Sequence, residues 1–225
     1  KKYKLGDLVT VNERSIGKGF DYSIIEYIDT SSVTENIFEP PANTKIDEAP
    51  SRAKRLIRDG DTIVSTVRPI QKHYGFIKKA KSNQVVSTGF AVVTPKKIDP
   101  RFLFYFLTQE TVTEYLNTLA ESGTTTFPAF RAEELKELNI FLPPLPTQQS
   151  IASILSSLDD KIELNNAINK NLEELAQALF KRWFVDFEFP FDFAQGKPNE
   201  EGLPYKSSGG EMVESELGKI GRAHV

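Results

Sequence analysis

PTQQSIASILSSLDDKIELNNAINKNLEELAQALFKRWFVDFEF, residues Pro146 to Phe189, is the stretch on which the fold turns. Beyond its first residue it contains neither Gly nor Pro, and its apolar residues recur at alternating steps of four and three. Ile151, Leu158, Asn165, Leu172 and Leu179 occupy one core position, and Leu155, Ile162, Asn169, Ala176 and Trp183 the other. That spacing predicts one long helix with a coiled-coil seam. About 36 residues at 1.5 Å each make a rod of roughly 54 Å. A domain of ordinary size covers only part of such a stripe, so the helix calls for a partner helix. Asn165 and Asn169 interrupt the seam at its midpoint. A buried Asn lowers stability but fixes register and partner choice; the alternative is that both face water beside Asn166.

Upstream, Pro143-Pro144-Leu145-Pro146 is a stiff hinge, because proline fixes φ and removes backbone donors. It closes a domain over residues 1–145 whose alternation of strand and helix signals predicts an α+β (mixed α/β) fold. Ser23–Ile28, Thr62–Val67, Tyr74–Ile77 and Val85–Val93 read as strands. The chain from Tyr3 to Val11 reads as a short turn or helix leading into another. Asp59-Gly60-Asp61 marks a turn. Apolar residues from Phe102 to Leu119 recur at helical spacing, with Asp99 as N-cap and Pro100 in first position. Glu121–Pro128 is a polar loop, Arg131–Leu138 a short helix and Asn139–Leu142 a strand. Downstream, Phe187, Phe189, Phe191 and Phe193 alternate with other residues, and Gly196–Gly210 is rich in Gly, Pro and Ser. Residues 146–189 are therefore expected to form the helix and 190–219 a linker.

Composition sets outer bounds. The chain has 225 residues, 39% hydrophobic and 26% charged, as expected of a globular protein. It has no cysteine, which excludes disulfides and thiolate metal sites and fits a cytoplasmic location. No apolar run approaches a membrane span, and the N-terminus lacks a signal-peptide pattern. The net charge is only −3 but is unevenly spread. Residues 1–110 carry 18 basic and 13 acidic residues, whereas residues 111–225 carry 10 and 18. Nine of the basic residues fall within 51–81, beside two acidic ones. This run is either a solvated face or a phosphate-contacting surface.

Motifs for catalysis are missing. The two histidines, His73 and His224, have no nucleophile elbow near them. Gly17-Lys18-Gly19 lacks the spacing of a phosphate loop. Glu134-Leu135-Lys136 matches half of a nuclease motif but sits in a charged helix where such triplets arise by chance. Nothing has metal-ligand spacing. These absences argue against an enzyme and against a cofactor in this chain.

Binding chemistry is better represented. Arg68, Gln71, Lys72, His73 and Tyr74 follow a strand and combine donors for base edges with phosphate-neutralising charge. Arg pairs bidentately with guanine and Gln with adenine. Lys72, Lys78 and Lys79 suit phosphates. Ser122, Thr124, Thr125 and Thr126 offer four hydroxyls around Gly123. The plainer alternatives are a solvated hairpin and surface loop, and, for the whole chain, a coiled-coil interaction scaffold that does not touch DNA.

Leu142–Pro190, which contains the long helix, resembles the central region of the specificity (S) subunit of type I restriction-modification enzymes. LIRDGDTIVSTVRP (56–69), DPRFLFYFL (99–107) and SGTTTFPAFRAEELKELNIFLPPLP (122–146) resemble that family's target recognition domain. PYKSSGGEMVESELGKI (204–220) resembles its linker into a second recognition domain. The resemblance implies a non-catalytic subunit in which two recognition domains, each followed by a long helix, read the halves of a split double-stranded DNA site. The two helices would pack antiparallel. Methyltransferase (M) and restriction (R) subunits would dock on it, bringing S-adenosylmethionine, ATP and Mg with them. The helix partner would then be a second recognition half in cis or a second copy in trans. Ile220–Val225 departs from the family pattern and reads as an artefactual tail.

Overall fold

The computed structural model of the chain describes residues 1–122, 128–216 and 218–222. It has two compact units, Lys1–Ser157 and Leu158–Val225. The class is α+β, as the pattern of elements predicts.

Two four-stranded sheets organise the first unit. One contains β2 (Val9–Val11), β8 (Thr62–Ser65), β9 (Tyr74–Phe76) and β11 (Phe90–Pro95) in the order β2-β11-β8-β9, all antiparallel. The other contains β3 (Ile24–Ile28), β6 (Ala42–Lys45), β7 (Ala53–Leu56) and β10 (Gln84–Ser87) in the order β6-β3-β10-β7, with β3 and β10 parallel. Val92, Phe90 and Ile63 from the first sheet meet Val86 and Ile28 from the second in one buried cluster. Val93, Ala91 and Val64 point the opposite way, into a cluster with Leu103, Leu107 and Leu116. The strand sequences TIVS and FAVV are thus buried on both faces and read as continuous apolar runs rather than alternating ones. On the far side of the second sheet, Ile25, Tyr27 and Val85 are covered by Ile16 and Phe20 from the 14–22 loop.

Two helices cover the first sheet. α1 spans Pro100–Leu107 and α2 Glu110–Glu121. Asp99 caps α1 as its sequence predicts, its carboxylate accepting from the Phe102 amide at 2.9 Å. The expected single helix is split at Thr108–Gln109. Gln109 is extended (φ −60°, ψ 140°), and the buried positions shift phase, from 103, 104 and 107 to 112, 113, 116 and 120. A straight helix would turn the second set away from the sheet. The expected 131–138 helix is 3-10 over Ala132–Glu137.

β1 (Lys2–Lys4) pairs antiparallel with β12 (Asn139–Phe141), and the Lys1 ammonium lies 3.3 Å from the Leu142 carbonyl. α3 begins inside the proline hinge, one residue before its expected start, and runs from Leu145 to Phe180 without a break. Its first turns pack on the first unit through buried Ala152 and Gln148. The Gln148 side chain accepts from the Asp99 amide at 2.9 Å and donates to the Pro143 carbonyl at 2.8 Å.

In the second unit α3 gives way to a wide turn, Lys181–Val185, so the helix stops short of the expected Phe189. Phe187, at φ 58°, follows it. Residues 190–222 differ from the linker expected of their composition. β13 (Pro190–Asp192) pairs with β14 (Lys197–Pro198) and β15 (Leu203–Pro204). β16 (Met212–Ser215) pairs with β17 (Gly218–Gly221). Phe189 stacks on Tyr205 with ring centroids 4.7 Å apart, and Phe191 meets the same ring edge-on at 5.1 Å. The glycines serve this packing: a Cβ on Gly210 would fall 2.4 Å from the Tyr205 ring. Ile220 pairs with Val213 and Arg222 bonds Glu211, so these residues of the expected tail belong to the hairpin. Residues 223–225 lie outside the described residues.

Replacing Gln148 by Ala leaves the half-buried Asp99 amide without its acceptor. This should cost about 1–3 kcal/mol in urea denaturation, with faster amide exchange in residues 145–157; unchanged stability and exchange would show the bonds to be dispensable. A second prediction concerns pH. Asp61 is fully buried, and burial pushes its carboxyl above the usual range despite bonds from the Thr94 hydroxyl and the Arg58 amide. The folded state therefore holds this proton to higher pH than the unfolded chain. Its stability contribution falls as pH rises from about 4 until Asp61 is ionised in the folded state. Asp61→Asn should remove that slope, so wild type loses ground to the variant over this window; parallel stability curves would contradict it.

Candidate nucleic-acid interface

The segment Arg68–Tyr74 connects β8 to β9 at the tip of their hairpin. Its backbone is unusual at both ends. Arg68 (φ 47°, ψ 65°) and Lys72 (φ 55°, ψ 35°) are left-handed, flanking a 3-10 turn over Pro69–Gln71. Non-glycine residues in that region cost on the order of 1–3 kcal/mol each and persist only where surroundings impose them. The surroundings here are a hydrogen-bonded frame. The Arg68 amide donates to the Pro128 carbonyl and the Phe130 amide to the Thr66 carbonyl, at 2.9 and 3.0 Å. Pro69 is buried, fixing the turn from beneath. The Thr66 hydroxyl donates to the Gly89 carbonyl at 3.0 Å. The result is a clamped loop that presents exposed Arg68, Ile70 and Gln71.

Lys72, His73 and Tyr74 are half-buried and engaged with the protein. The Lys72 ammonium lies 2.8 Å from the Glu110 carboxylate, at the start of α2, and 3.8 Å from Glu35. Glu110, by hydrogen bond and charge, holds the Lys72 pKa above its ordinary value, so Lys72 stays charged at neutral pH. His73 Nδ1 lies 2.7 Å from the Val33 carbonyl and 3.1 Å from the Thr34 hydroxyl. A carbonyl only accepts, so the neutral ring carries its proton on Nδ1 and leaves Nε2 as acceptor. The Tyr74 ring packs edge-on to Phe104 at 6.2 Å. These three side chains support the loop and offer less to a ligand than Arg68 and Gln71.

Spatial neighbours that the sequence reading passed over complete the site. β4 (Val33–Thr34) and β5 (Ile37–Phe38) form a hairpin around Glu35 and Asn36, both at positive φ. The Glu35 amide donates to the Lys72 carbonyl and the Asn36 amide to the Tyr74 carbonyl, each at 2.9 Å. The Thr-Glu-Asn sequence between β-type residues is the turn signal that marks this hairpin.

The remaining candidates separate. Lys78 and Lys79 are exposed but lie beyond β9, at the opposite end of the hairpin from Arg68. Ser122 terminates α2, its hydroxyl donating to the Leu119 carbonyl at 2.7 Å. Thr124, Thr125 and Thr126 lie outside the described residues, though Pro128 beside them is bonded to Arg68. The basic run of 51–81 is also divided. Lys54 and Arg55 lie on β7, in the other sheet, and several cations face acids from elsewhere in the chain. Arg52 lies 3.9 Å from Asp29, and Arg58 lies 3.7 Å from Asp61 and 3.8 Å from Glu13. Among the described residues, no group of three or more His, Asp or Glu could hold a metal ion, and no helix is long and apolar enough to cross a membrane.

α3 presents a second surface. Leu158, Ile162 and Leu172 are each more than half exposed, and Asn165 and Asn169 are exposed between them. Ile151 and Leu155 instead line a groove of about 510 Å³ with Phe102, Phe106 and Phe141.

The chain is similar to known proteins. Residues 1–174 match the model of the type I restriction modification DNA specificity domain. The chain is 40% identical over 193 residues to the HindI type I restriction enzyme specificity subunit of Haemophilus influenzae, covering 84% of this chain and 41% of that one. It is 32% identical to the MjaIX specificity subunit of Methanocaldococcus jannaschii, covering 89% and 42%. The chain thus spans less than half the length of these curated relatives. The HsdS subunit from Thermoanaerobacter tengcongensis has the same fold, with a TM-score of 0.62 at 23% identity over 86% of this chain and 50% of that one. With its family model matched from the first strand to Glu174, near the end of α3, this chain belongs to the type I restriction modification DNA specificity domain family.

Proposed function

We propose that the chain is a non-catalytic DNA-recognition subunit of a type I restriction-modification complex, reading one half of a bipartite double-stranded site. Family membership supports the class. The observation that carries the residue assignment is the clamped loop at the β8–β9 tip. Its strained backbone is held by hydrogen bonds from three other segments, and it exposes an Arg and a Gln. Backbone strain maintained by its surroundings clusters at binding sites. Arg68 and Gln71 are the base-edge readers in this proposal, and Lys78, Lys79, Ser122, Thr124, Thr125 and Thr126 contact phosphate. Lys72, His73 and Tyr74 hold the loop in shape.

Methylation and cleavage would reside on M and R subunits, which supply S-adenosylmethionine, ATP and Mg; this chain needs no cofactor of its own. The complex would act in the cytoplasm, on chromosomal and incoming DNA. An interaction scaffold without DNA contact is the rival reading, and binding measurements decide between them.

Methylome sequencing with and without the gene gives the target. Titration of labelled duplexes against the protein then tests the residues. Arg68→Ala should relax preference at one base pair by about 1–3 kcal/mol. Lys78→Ala should weaken binding to all sequences alike and reduce the salt slope by about one. Sequence preference unchanged in Arg68→Ala would refute its role as reader. No methylation difference and no DNA binding would favour the scaffold.

A further inference from the structure

Two left-handed residues meet beside the Arg68–Tyr74 loop, and the fold accounts for only one of them. The turn between β4 and β5 is made of Glu35 (φ 47°) and Asn36 (φ 66°). Two-residue hairpin turns with positive φ at both centres favour Asn, Asp or Gly. Asn36 meets that preference, and its side chain serves the fold: Oδ1 accepts from the Phe76 amide at 2.7 Å. Glu35 does not meet it. A glycine there would form the turn with less strain, and the main-chain bond from residue 35 to the Lys72 carbonyl would remain. The Glu35 side chain therefore answers to something other than the turn.

Its position is fixed. The hairpin lies along the Lys72–Phe76 segment, tied by the Glu35, Asn36 and Phe76 amides and by the Thr34 hydroxyl, which meets His73 Nδ1 at 3.1 Å. Phe38 holds the hairpin against β9, where Gly75 makes room for it; a Cβ on Gly75 would fall 2.3 Å from the Phe38 ring. Glu35 is thus set against Lys72, the residue after Gln71. Its side chain is 57% exposed and lies 3.8 Å from the Lys72 ammonium, beyond hydrogen-bond length, while Glu110 holds that ammonium at 2.8 Å. Lys72 has its acid already, and the Glu35 carboxylate keeps lone pairs for a donor from outside.

The chemistry of that donor is narrow. An exposed carboxylate on a DNA-facing surface is repelled by phosphates, so it needs a partner that offsets the repulsion. A carboxylate only accepts. In the major groove, cytosine shows the N4 amino donor without an acceptor of its own. Adenine sets its N7 acceptor beside its N6 donor, and guanine and thymine show acceptors there.

We propose that Glu35 is a specificity-determining residue that accepts from the N4 amino group of a cytosine, at a base pair beside the one read by Arg68 and Gln71. This rests on the DNA-recognition function proposed above. The two tips then form one reading surface of opposite polarity, with donors from the β8–β9 loop and an acceptor from the β4–β5 turn.

The unsubstituted chain, Glu35→Gln and Glu35→Gly are each incubated with a pool of sequence-randomised duplexes, the bound fraction is sequenced, and thermal unfolding is followed alongside. The unsubstituted chain should select C·G at one position on the order of ten-fold over other pairs. Glu35→Gln keeps the side chain's size and adds a donor, so that position should turn to A·T, since Gln pairs bidentately with adenine. Glu35→Gly should lose preference there while unfolding at no lower temperature, because glycine eases the turn. The other selected positions should stay the same in both variants. A selected site unchanged in both variants overturns the inference and leaves the proposed function standing. So does affinity raised alike for all sequences in Glu35→Gln, the mark of simple phosphate repulsion. So, too, does a Glu35→Gly protein that unfolds at lower temperature, which would make Glu35 a brace for Lys72. An unsubstituted chain that selects no sequence refutes the proposed function, and the reading of Glu35 with it.

Discussion

The buried amide of Gln148 is the joint on which the rest depends. It sits in the first turn of α3, accepts from the amide that precedes α1 and donates to the carbonyl of Pro143, which opens the proline hinge. A side chain only 3% exposed cannot exchange these bonds for water. The long helix, the hinge and the cap of α1 are therefore held by one residue. Asp99 contributes from both its ends, its carboxylate capping α1 while its backbone amide is held by Gln148. The first turns of the helix are thus fixed at a defined point on the sheets and helices that precede it.

Elements whose signal is local were legible in the sequence. TIVS and FAVV announce strands because both of their faces are buried, and Asp99-Pro100 announces a helix start through capping chemistry alone. The heptad seam of α3 is equally local. Other features arise only in three dimensions. The break between α1 and α2 at Gln109 turns both sets of buried positions onto the core, although residues on either side keep helical propensity. β6 and β7, ANTK and AKRL, have too little apolar content to read as strands, and their pairing with β3 and β10 makes them so. Glycines at 202 and 210 look like linker composition but leave room for Phe191 and Tyr205.

The same division runs through the site. R-P-I-Q-K-H-Y is recognisable as a polar loop after a strand. Which of its side chains remain available is not, because Glu110, Glu35 and Val33 come from distant segments. Charge counted along the chain overstated a basic surface that folding partly neutralises and divides between two sheets. Left-handed backbone at Arg68 has no sequence signature at all: Arg has no preference for it, and the bond to Pro128 imposes it from 60 residues away.

The pairing of β1 with β12 carries a consequence for how such proteins change over time. The two strands bring Lys2–Lys4 and the residues just before the proline hinge side by side, closing the intervening fold on itself. A segment with adjoining ends can be exchanged as a cassette, or cut and rejoined in circular order, while the attachment to the helix stays where it was. Recombination that swaps the intervening gene segment would then deliver a new reading loop onto an unchanged frame, with only the contacts around Gln148 needing to be preserved.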